Sequence, residues 1–504
     1  MGDKRRFLKV ALISMLFLAV MGEVKMAVGT DCWLREKYEA WKSEMSNSRK
    51  WQYWLNKGEY MGWTEGHVLS GLIYGFLAFN ETGWLDEFIY QFDRCIEQLE
   101  RKYDGRLGWY DENGVDAIVG EGLLFNPALL FIETVKDNQA LYEKYGAKAE
   151  EYLQLIESMI PKWDERGLWI EIGEDCGVYV FQNISVLGRD QGVSLPYNKL
   201  LEYGRALLAL YRITGKTYYL DKAVRLGNLF KKNLKLVGDH YEWNYWDPQG
   251  DWDYYDPPYN TLPKRWINVE HRGGYTLIDI KFVIEAYKMG IIFNETDLER
   301  FLNTQLKVMW NGDYENPKFL AVNGKDPSTW TKQARPHLVW SPMAEFNMTI
   351  MRIWDNVIRT LDPTSWQAIV DIPYYAWIKK MTGGNIPPEA SFTYSGPLLV
   401  GKAVTFDASS SNDECDDGTI VDYDWDFGDG TKGRGRIVTH IFTSEGTYNV
   451  KLTVTDNRGG THSVTHKINI VAPFPQHLYF LAAIILIIIA SLLIFWKQRR
   501  GKNA

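Results

Sequence analysis

The sequence predicts a multidomain chain: an all-α (α/α) toroid of five or six helical hairpins, then an all-β sandwich, then one C-terminal transmembrane helix. Three observations carry this. Apolar residues recur at helical period through residues 33–382. The pattern switches to strand-like alternation after Gly383-Gly384-Asn385-Ile386-Pro387-Pro388. The run from Leu478 to Trp496 holds no charge.

Within the helical part, segments come in pairs: 67–79 with 85–102, 122–136 with 139–160, 197–213 with 217–234, 274–290 with 295–309, and 341–359 with 364–380. The first of a pair is usually the more apolar. The run Tyr275 to Tyr287, YTLIDIKFVIEAY, is apolar on most sides, as a helix surrounded by neighbours is. Its partner is amphipathic and often follows a Thr-Gly or Asn-x-Thr turn that can cap it. An inner–outer unit recurring every 55–75 residues or roughly so fits hairpins closing into a toroid over residues 31–383.

The later segment alternates at 403–406, 448–454 and 467–471, with Gly, Asp and Asn turns, as a small β-sandwich does. Trp425-Asp426-Phe427-Gly428-Asp429-Gly430, His440-Ile441-Phe442, Gly446-Thr447-Tyr448 and Val454-Thr455-Asp456 follow in order. Over residues 388–471 this resembles a PKD domain, an Ig-like sandwich. The resemblance implies a non-catalytic spacer or binding module of surface proteins. Asn412, Asp413, Asp416, Asp417 and Asp426 are oxygen donors of the kind Ca²⁺ takes, and some members of the family bind calcium near this turn. A solvated acidic loop closed by Asx turns is the other reading of the same residues.

Leu478–Trp496, LYFLAAIILIIIASLLIFW, is long enough for a bilayer core at about 1.5 Å per residue. Lys497, Arg499, Arg500 and Lys502 follow, and a basic cluster beside a span favours the cytoplasm. Residues 497–504 are therefore expected to be a basic cytoplasmic tail. At the other end, Lys4, Arg5 and Arg6 precede the apolar stretch Phe7 to Met21, interrupted only by Lys9 and Ser14. Small residues follow at Gly22 and Ala27–Gly29. This reads as a signal peptide over 1–29, with an uncleaved anchor as the alternative. The expected localisation is the cell membrane, single-pass, with the N-terminal ectodomain outside. Asn80, Asn183, Asn294 and Asn347 begin N-x-[ST] sequons, which suit a surface glycoprotein.

Composition narrows the function. A net charge of −8 gives nucleic acid no electrostatic hold. Cys32, Cys95, Cys176 and Cys415 are far apart and show no CxxC or Cys/His spacing, which argues against zinc. An exported location permits disulfides, with no pairing legible. No phosphate-binding loop, HExxH or GxSxG occurs, which sets aside NTPase, zincin and α/β-hydrolase chemistry. No motif requires a cofactor. Aromatics make up 14% of the chain, with 21 Trp and 30 Tyr. That density serves a large core and also a sugar-stacking groove. Clusters such as Trp243-Asn244-Tyr245-Trp246 point to the groove.

The hairpin repeat, over about 350 residues, resembles the toroid domains of polysaccharide lyases, glucuronyl epimerases and several glycoside hydrolases. The resemblance is one of architecture and spacing. It implies inner helices running the same way, with the active site where their N-terminal ends gather. Those ends carry Trp63, Glu65 and His67, then Glu121 and Asn126, then Tyr197 and Asn198. Asn268, Glu270, His271, Arg272 and Tyr275 open the fourth, and Trp340 and Glu345 the fifth. Capping and the helix dipole account for Glu65, Glu121 and Glu345 singly. They do not account for His67, His271 or Arg272.

The richest stretch runs from Trp243 to Tyr275. It is too long and polar for a simple connector, and it ends in Gly273 and Gly274, which admit a close approach. A lyase or epimerase needs a base for the proton α to a uronate carboxylate and a group neutralising that carboxylate. A lyase also needs an acid for the leaving oxygen. The expected catalytic set is His271, Tyr275, Tyr245, Asn244, Arg272 and Glu270. Expected substrate contacts are His67, Glu65, Glu121, Asn126, Tyr197, Asn198, Trp243, Trp246, Trp340 and Glu345. A hydrolase needs paired carboxylates, for which Glu65, Glu121, Glu270, Asp247 and Glu345 are available. A non-catalytic glycan-binding or envelope-structural protein is the third reading. The expected partners are a polysaccharide or glycan and the membrane.

Overall fold

Glycines and prolines set the spacing of the helical unit. Helix α2 (Glu59–Phe79) carries Gly62, Gly66 and Gly71. A β-carbon at Gly62 would lie 2.4 Å from the Gly120 carbonyl oxygen, and one at Gly66 would lie 2.5 Å from the Leu123 carbonyl oxygen, both in α4 (Ile118–Lys136). On the other flank, a β-carbon at Gly71 would lie 2.3 Å from the Ile369 carbonyl oxygen of α11 (Ala368–Met381). Only glycine permits backbones this close.

The two carbonyls share an origin. Pro127 lies inside α4 and Pro373 inside α11. Proline has no N–H, so the carbonyls four residues earlier, Leu123 and Ile369, lose their helical partners. The Trp41 indole N–H, from α1 (Cys32–Met45), donates to the Ile369 oxygen at 3.2 Å.

The structure is a computed structural model. It describes residues 32–45, 58–102, 104–112, 114–181, 194–246, 273–325, 339–365, 367–381, 388–413, 419–457, 460–473 and 484–494. The chain divides into two units, Met1–Gly384 and Asn385–Ala504.

In the first unit, α2 packs on α4, α4 on α6 (Tyr197–Thr214), and α6 on α8 (Gly273–Lys288). Helix α8 meets a 3₁₀ turn at Ser341–Glu345, that turn meets α11, and α11 returns to α2. The inner ring is closed. Its helices start on one side: Lys199 of α6 pairs with Glu59 of α2 at 2.8 Å, and Trp63 of α2 meets Tyr275 of α8 at 5.9 Å between ring centroids.

The outer layer is amphipathic. Helix α3 (Gly83–Ile96) packs on α2, α5 (Gln139–Met159) on α4, and α7 (Thr217–Lys232) on α6. Helix α9 (Glu295–Asn303), continuing as a π-turn to Met309, packs on α8, and α10 (Met348–Thr360) packs on the 3₁₀ turn. Helix α1 covers α11. Asn138, Asn294 and Asn347 cap α5, α9 and α10 by accepting from the backbone N–H three residues on.

The pair at 341–359 and 364–380 departs from the expected order. Its second helix, α11, is the inner one, apolar nearly all round, and its outer partner is α1 from the other end of the chain. The preceding helix α10 has the one-sided apolar face of an outer helix.

In the second unit, β1 (Thr393–Ser395), β2 (Ala403–Asp407) and β5 (Ile437–Ile441) form one antiparallel sheet in the order β5-β2-β1. Strands β3 (Ile420–Asp426), β4 (Lys432–Arg434), β6 (Gly446–Asp456) and β7 (Thr461–Ile470) form the other, ordered β4-β3-β6-β7. Alternate residues Val404, Phe406, Val450, Leu452, Val454, Ile468 and Ile470 enclose Trp425 between the sheets.

Of the expected 478–496 span, residues 484–494 are described. They form an exposed apolar helix, Ile484–Ile494, shorter than the roughly 20 residues a bilayer needs. Ile118–Lys136 is long and apolar enough to cross a membrane, and it is the inner helix α4, buried in the ring. Residues 1–29 and 497–504 lie outside the described residues. Cys95 and Cys176 are buried free thiols. Asn80 caps the end of α2 in a left-handed, exposed position, and Asn183 lies outside the described residues.

If the glycine contacts hold the ring closed, Gly71→Ala should lower unfolding stability by about 2–3 kcal/mol. Denaturant melts would measure this. Gly83, whose β-carbon would meet open space, provides the control: Gly83→Ala should be neutral or mildly stabilising.

Candidate functional site

The ring encloses a lumen of about 1440 Å³. One stripe from each inner element lines it at helical spacing. Helix α2 supplies Trp63, His67, Ser70 and Tyr74. Helix α4 supplies Asn126, Leu130 and Glu133, and α6 supplies Glu202, Arg205 and Arg212. Helix α8 supplies Tyr275, Lys281, Glu285 and Lys288, the 3₁₀ turn Glu345, and α11 Asp371, Tyr374 and Trp377.

Half of this wall is an ionic ladder. Asn126 Nδ2 donates to Glu202 Oε1 at 2.7 Å, and Arg205 donates to Glu202 at 3.0 Å and to Glu285 at 2.8 Å. Arg212 donates to Glu133 at 2.7 Å and lies 3.6 Å from Glu285. Lys288 pairs with Glu345 at 2.6 Å. Burial would raise the Glu285 carboxyl, but Arg205 and Arg212 overcome it and hold the group below its usual range.

Lys281 and Asp371 stand apart from this ladder. Both face the lumen, and among the described residues neither side chain has a hydrogen-bond or ion-pair partner. Burial pushes the Asp371 carboxyl up to about 7, with Lys281 pulling against it. Burial also lowers the Lys281 ammonium, and Arg205 adds to that. A carboxyl titrating near neutrality beside an unpaired cation is suited to moving a proton.

The mouth where the inner helices start is aromatic. Trp63 lies 6.5 Å from His67 and 5.9 Å from Tyr275, and Tyr275 packs at 5.4 Å, tilted by 31°, on Tyr245. Tyr245 meets Trp246, which meets Phe181.

Of the residues read from the sequence, the lumen brings together His67, Asn126, Tyr275 and Glu345. Tyr245 backs Tyr275, and Asn244 is half-buried beside it. Trp243, Trp246 and Trp340 are buried structural rings. Their indole N–H groups donate to Asp279 at 3.0 Å, to the Ser194 carbonyl at 2.5 Å and to Thr276 at 3.0 Å respectively. Tyr197 packs edge-on to Phe230. Asn198 is buried, with neither side-chain polar atom hydrogen-bonded.

Glu65 and Glu121 face away from the lumen. Glu121 closes a buried polar cluster: it accepts from Lys162 and, at 2.8 Å, from the Trp163 indole, and Lys162 also pairs with Asp116 at 2.8 Å. Glu65 lies in the field of Arg94 on the outer helix α3. Glu270, His271 and Arg272, with Asn268 and Asp247, lie outside the described residues.

Sequence reasoning passed over Glu202, Arg205, Lys281, Glu285 and Asp371. Glu202, Arg205, Lys281 and Glu285 lie inside their helices, away from the starts where chemistry was sought, and Asp371 lies in the first turn of α11, the second helix of its pair. Their signal was present: charges inside helices expected to be buried on every side must face one another or a cavity.

In the sandwich, Asp426 Oδ1 accepts from the Gly428 N–H at 3.0 Å, and Asp429 accepts from Thr431 N at 2.9 Å and pairs with His440 at 2.7 Å. These carboxylates close their own turns. Asn412 and Glu389 exchange backbone hydrogen bonds. Asp413 is described; Asp416 and Asp417 are not. Among the described residues no group of three or more His, Cys, Asp or Glu gathers as a metal site would require. Comparison with known proteins agrees with the motif order: the PKD domain family model matches residues 385–472.

Residues 385–472 form a PKD domain. Collagenase ColA of Clostridium perfringens is 42% identical over 91 residues, 18% of this chain and 8% of that protein. The chain thus spans a small fraction of such relatives. The PKD1 domain of the Vibrio cholerae metalloprotease PrtV is 34% identical, covering 17% of this chain and 99% of that one, with a TM-score of 0.15. A sugar epimerase from a ruminal bacterium covers 70% of this chain and 99% of its own at 10% identity, with a TM-score of 0.45.

Burial raises the Glu65 carboxyl to about 7, partly opposed by Arg94. The unfolded chain releases this proton near its ordinary value of about 4.3. Between those limits the folded state binds more protons, so this group lowers stability as pH rises through the interval, with no further loss above about 7. Glu65→Gln should therefore gain roughly 3 kcal/mol relative to wild type between about pH 4.5 and about pH 8. Paired urea melts at the two pH values would measure it.

Proposed function

We propose that the helical unit is a carbohydrate-active enzyme that moves a proton on a uronate-containing polysaccharide held in the lumen, by epimerase or lyase chemistry. The observation that carries this reading is the unpaired Asp371–Lys281 couple inside the walled lumen. Lys281 supplies the charge that neutralises a uronate carboxylate and stabilises the enolate formed beside it. Asp371, titrating near neutrality, takes the α-proton as general base. A proton delivered from water to the opposite face gives the epimer; expulsion of the glycosidic oxygen, which leaves as the alcohol on taking the proton from Asp371 or water, gives the unsaturated product. Trp63, His67 and Tyr275 at the mouth are suited to hydrogen-bonding and stacking on the chain as it enters.

Hydrolysis is the second reading. Asp371, holding its proton, and the ionised Glu285 are lumen carboxylates whose environments push them apart, as an acid and its partner require. Against it, Glu202, Glu285 and Glu345 are all engaged by cations, which weakens each as a base.

Cell-surface placement is part of the same proposal. The apolar run 478–496 followed by Lys497, Arg499, Arg500 and Lys502 suits an anchor, and the PKD domain precedes it in the chain. A polysaccharide is then within reach.

The test is a panel of acidic and neutral polysaccharides incubated with the protein. An unsaturated, ultraviolet-absorbing product marks a lyase; solvent-deuterium exchange without cleavage marks an epimerase; new reducing ends without that absorbance mark a hydrolase. Asp371→Asn should lower turnover by about a hundredfold or more while the thermal midpoint stays within about 2 °C. As a base, Asp371 works deprotonated, so activity should rise with pH through about 7. Undiminished activity in the variant would remove Asp371 from the mechanism.

A further inference from the structure

Beyond Asp371, α11 continues down the lumen with Tyr374 and then Trp377, one and two turns along the same face. Tyr74 of α2 joins them. The Tyr74 and Tyr374 rings lie 4.6 Å apart, Tyr74 stacks on Trp377 at 5.3 Å and 24°, and Tyr374 lies 5.7 Å from Trp377. All three line the cavity. Tyr374 is only 7% exposed, and among the described residues neither its hydroxyl nor that of Tyr74 has a hydrogen-bond partner.

Both residues line the cavity, so each hydroxyl can donate to a molecule held there. Burial pushes both hydroxyls upward, Tyr74 to about 12, so they are donors at neutral pH. Arg205, Glu285 and Glu345 lie close enough for their charges to be felt at both rings. The patch is therefore an aromatic surface with unspent donors and a charged rim. Water alone has no use for its apolar faces. A pyranose ring, with an apolar C–H face and an equatorial belt of hydroxyls, matches both. Three residues, about 4.5 Å of helix rise, separate Asp371 from Tyr374, a spacing comparable with one sugar ring.

We propose that Tyr74, Tyr374 and Trp377 form a pyranose-stacking subsite that holds the sugar next to the reacting uronate. It rests on the reading of the lumen as a glycan site, and it adds a length requirement: the enzyme grips at least two consecutive rings. Tyr374 and Trp377 are positioning residues, since they touch the neighbouring ring and not the reacting carbon.

Calorimetric titration of the full chain with size series of oligogalacturonates and oligoglucuronates tests it. Trp377→Ala should weaken the tetrasaccharide about tenfold and leave the monosaccharide uronate, which has no neighbouring ring, unchanged. Trp377→Phe should keep most of the affinity. Kinetically, Trp377→Ala should raise KM on long substrates with little change in kcat. If Trp377→Ala binds both lengths as wild type does, or loses both equally, the subsite is overturned and the lumen reading stands. If wild type binds no member of either series, the lumen reading falls and the subsite falls with it.

Discussion

The close seating of α2 between α4 and α11 is the constraint on which the helical unit depends. Three glycines on α2 remove the side chains that would hold the neighbours away, and two prolines leave carbonyls on those neighbours without helical partners. The Leu123 and Ile369 oxygens then sit against the bare α2 backbone, and Trp41 satisfies one of them from outside. The last inner helix thereby packs on the first, and the outer partner of that last helix is α1, which starts the described chain. Segments about 330 residues apart meet in the Trp41 indole hydrogen bond, and segments about 300 apart in the Gly71 contact.

A ring closed in this way has an inside, and its inside sets the chemistry. Charges on inner helices are partly withdrawn from bulk water and neutralise one another across the lumen. Glu202, Arg205, Glu285, Arg212 and Glu133 do so along one wall, and Lys288 and Glu345 do so beside it. Such a ladder rigidifies the wall but is chemically spent. Asp371 and Lys281 are outside it, close enough to shift one another and left without a direct bond. A carboxyl raised to about 7 and a lowered ammonium form a couple held between two protonation states, and a bound carboxylate would change that balance.

Much of this organisation was legible before the structure. Residues 388–471 declared themselves because Trp425 to Gly430 is a local motif whose residues close their own turn. The hairpin repeat was legible because burial imposes a period on each helix. What escaped was whatever depended on contacts between distant segments. The reversal of the last pair follows from α11 packing on α2, some 300 residues away, and no local period encodes that. The site was sought at helix starts, and of the residues chosen His67, Asn126, Tyr275 and Glu345 do line the lumen, His67 and Asn126 from two turns inside their helices. Glu65 and Glu121 turn away from the lumen into the packing behind the inner helices, since one step along a helix turns a side chain by about 100°. Trp243, Trp246 and Trp340 illustrate how a dense aromatic cluster can be core. The charges at Lys281, Glu285 and Asp371 were visible all along, inside helices too apolar to leave them to solvent.

The most direct test of the central claim is a crystal structure of the Asp371→Asn protein with a uronate tetrasaccharide. The account predicts glycan density inside the helical ring, with one uronate carboxylate within hydrogen-bonding distance of Lys281 Nζ and its α-carbon facing residue 371. Density confined to the outer surface or to the PKD domain, with an empty lumen at saturating ligand, would contradict it.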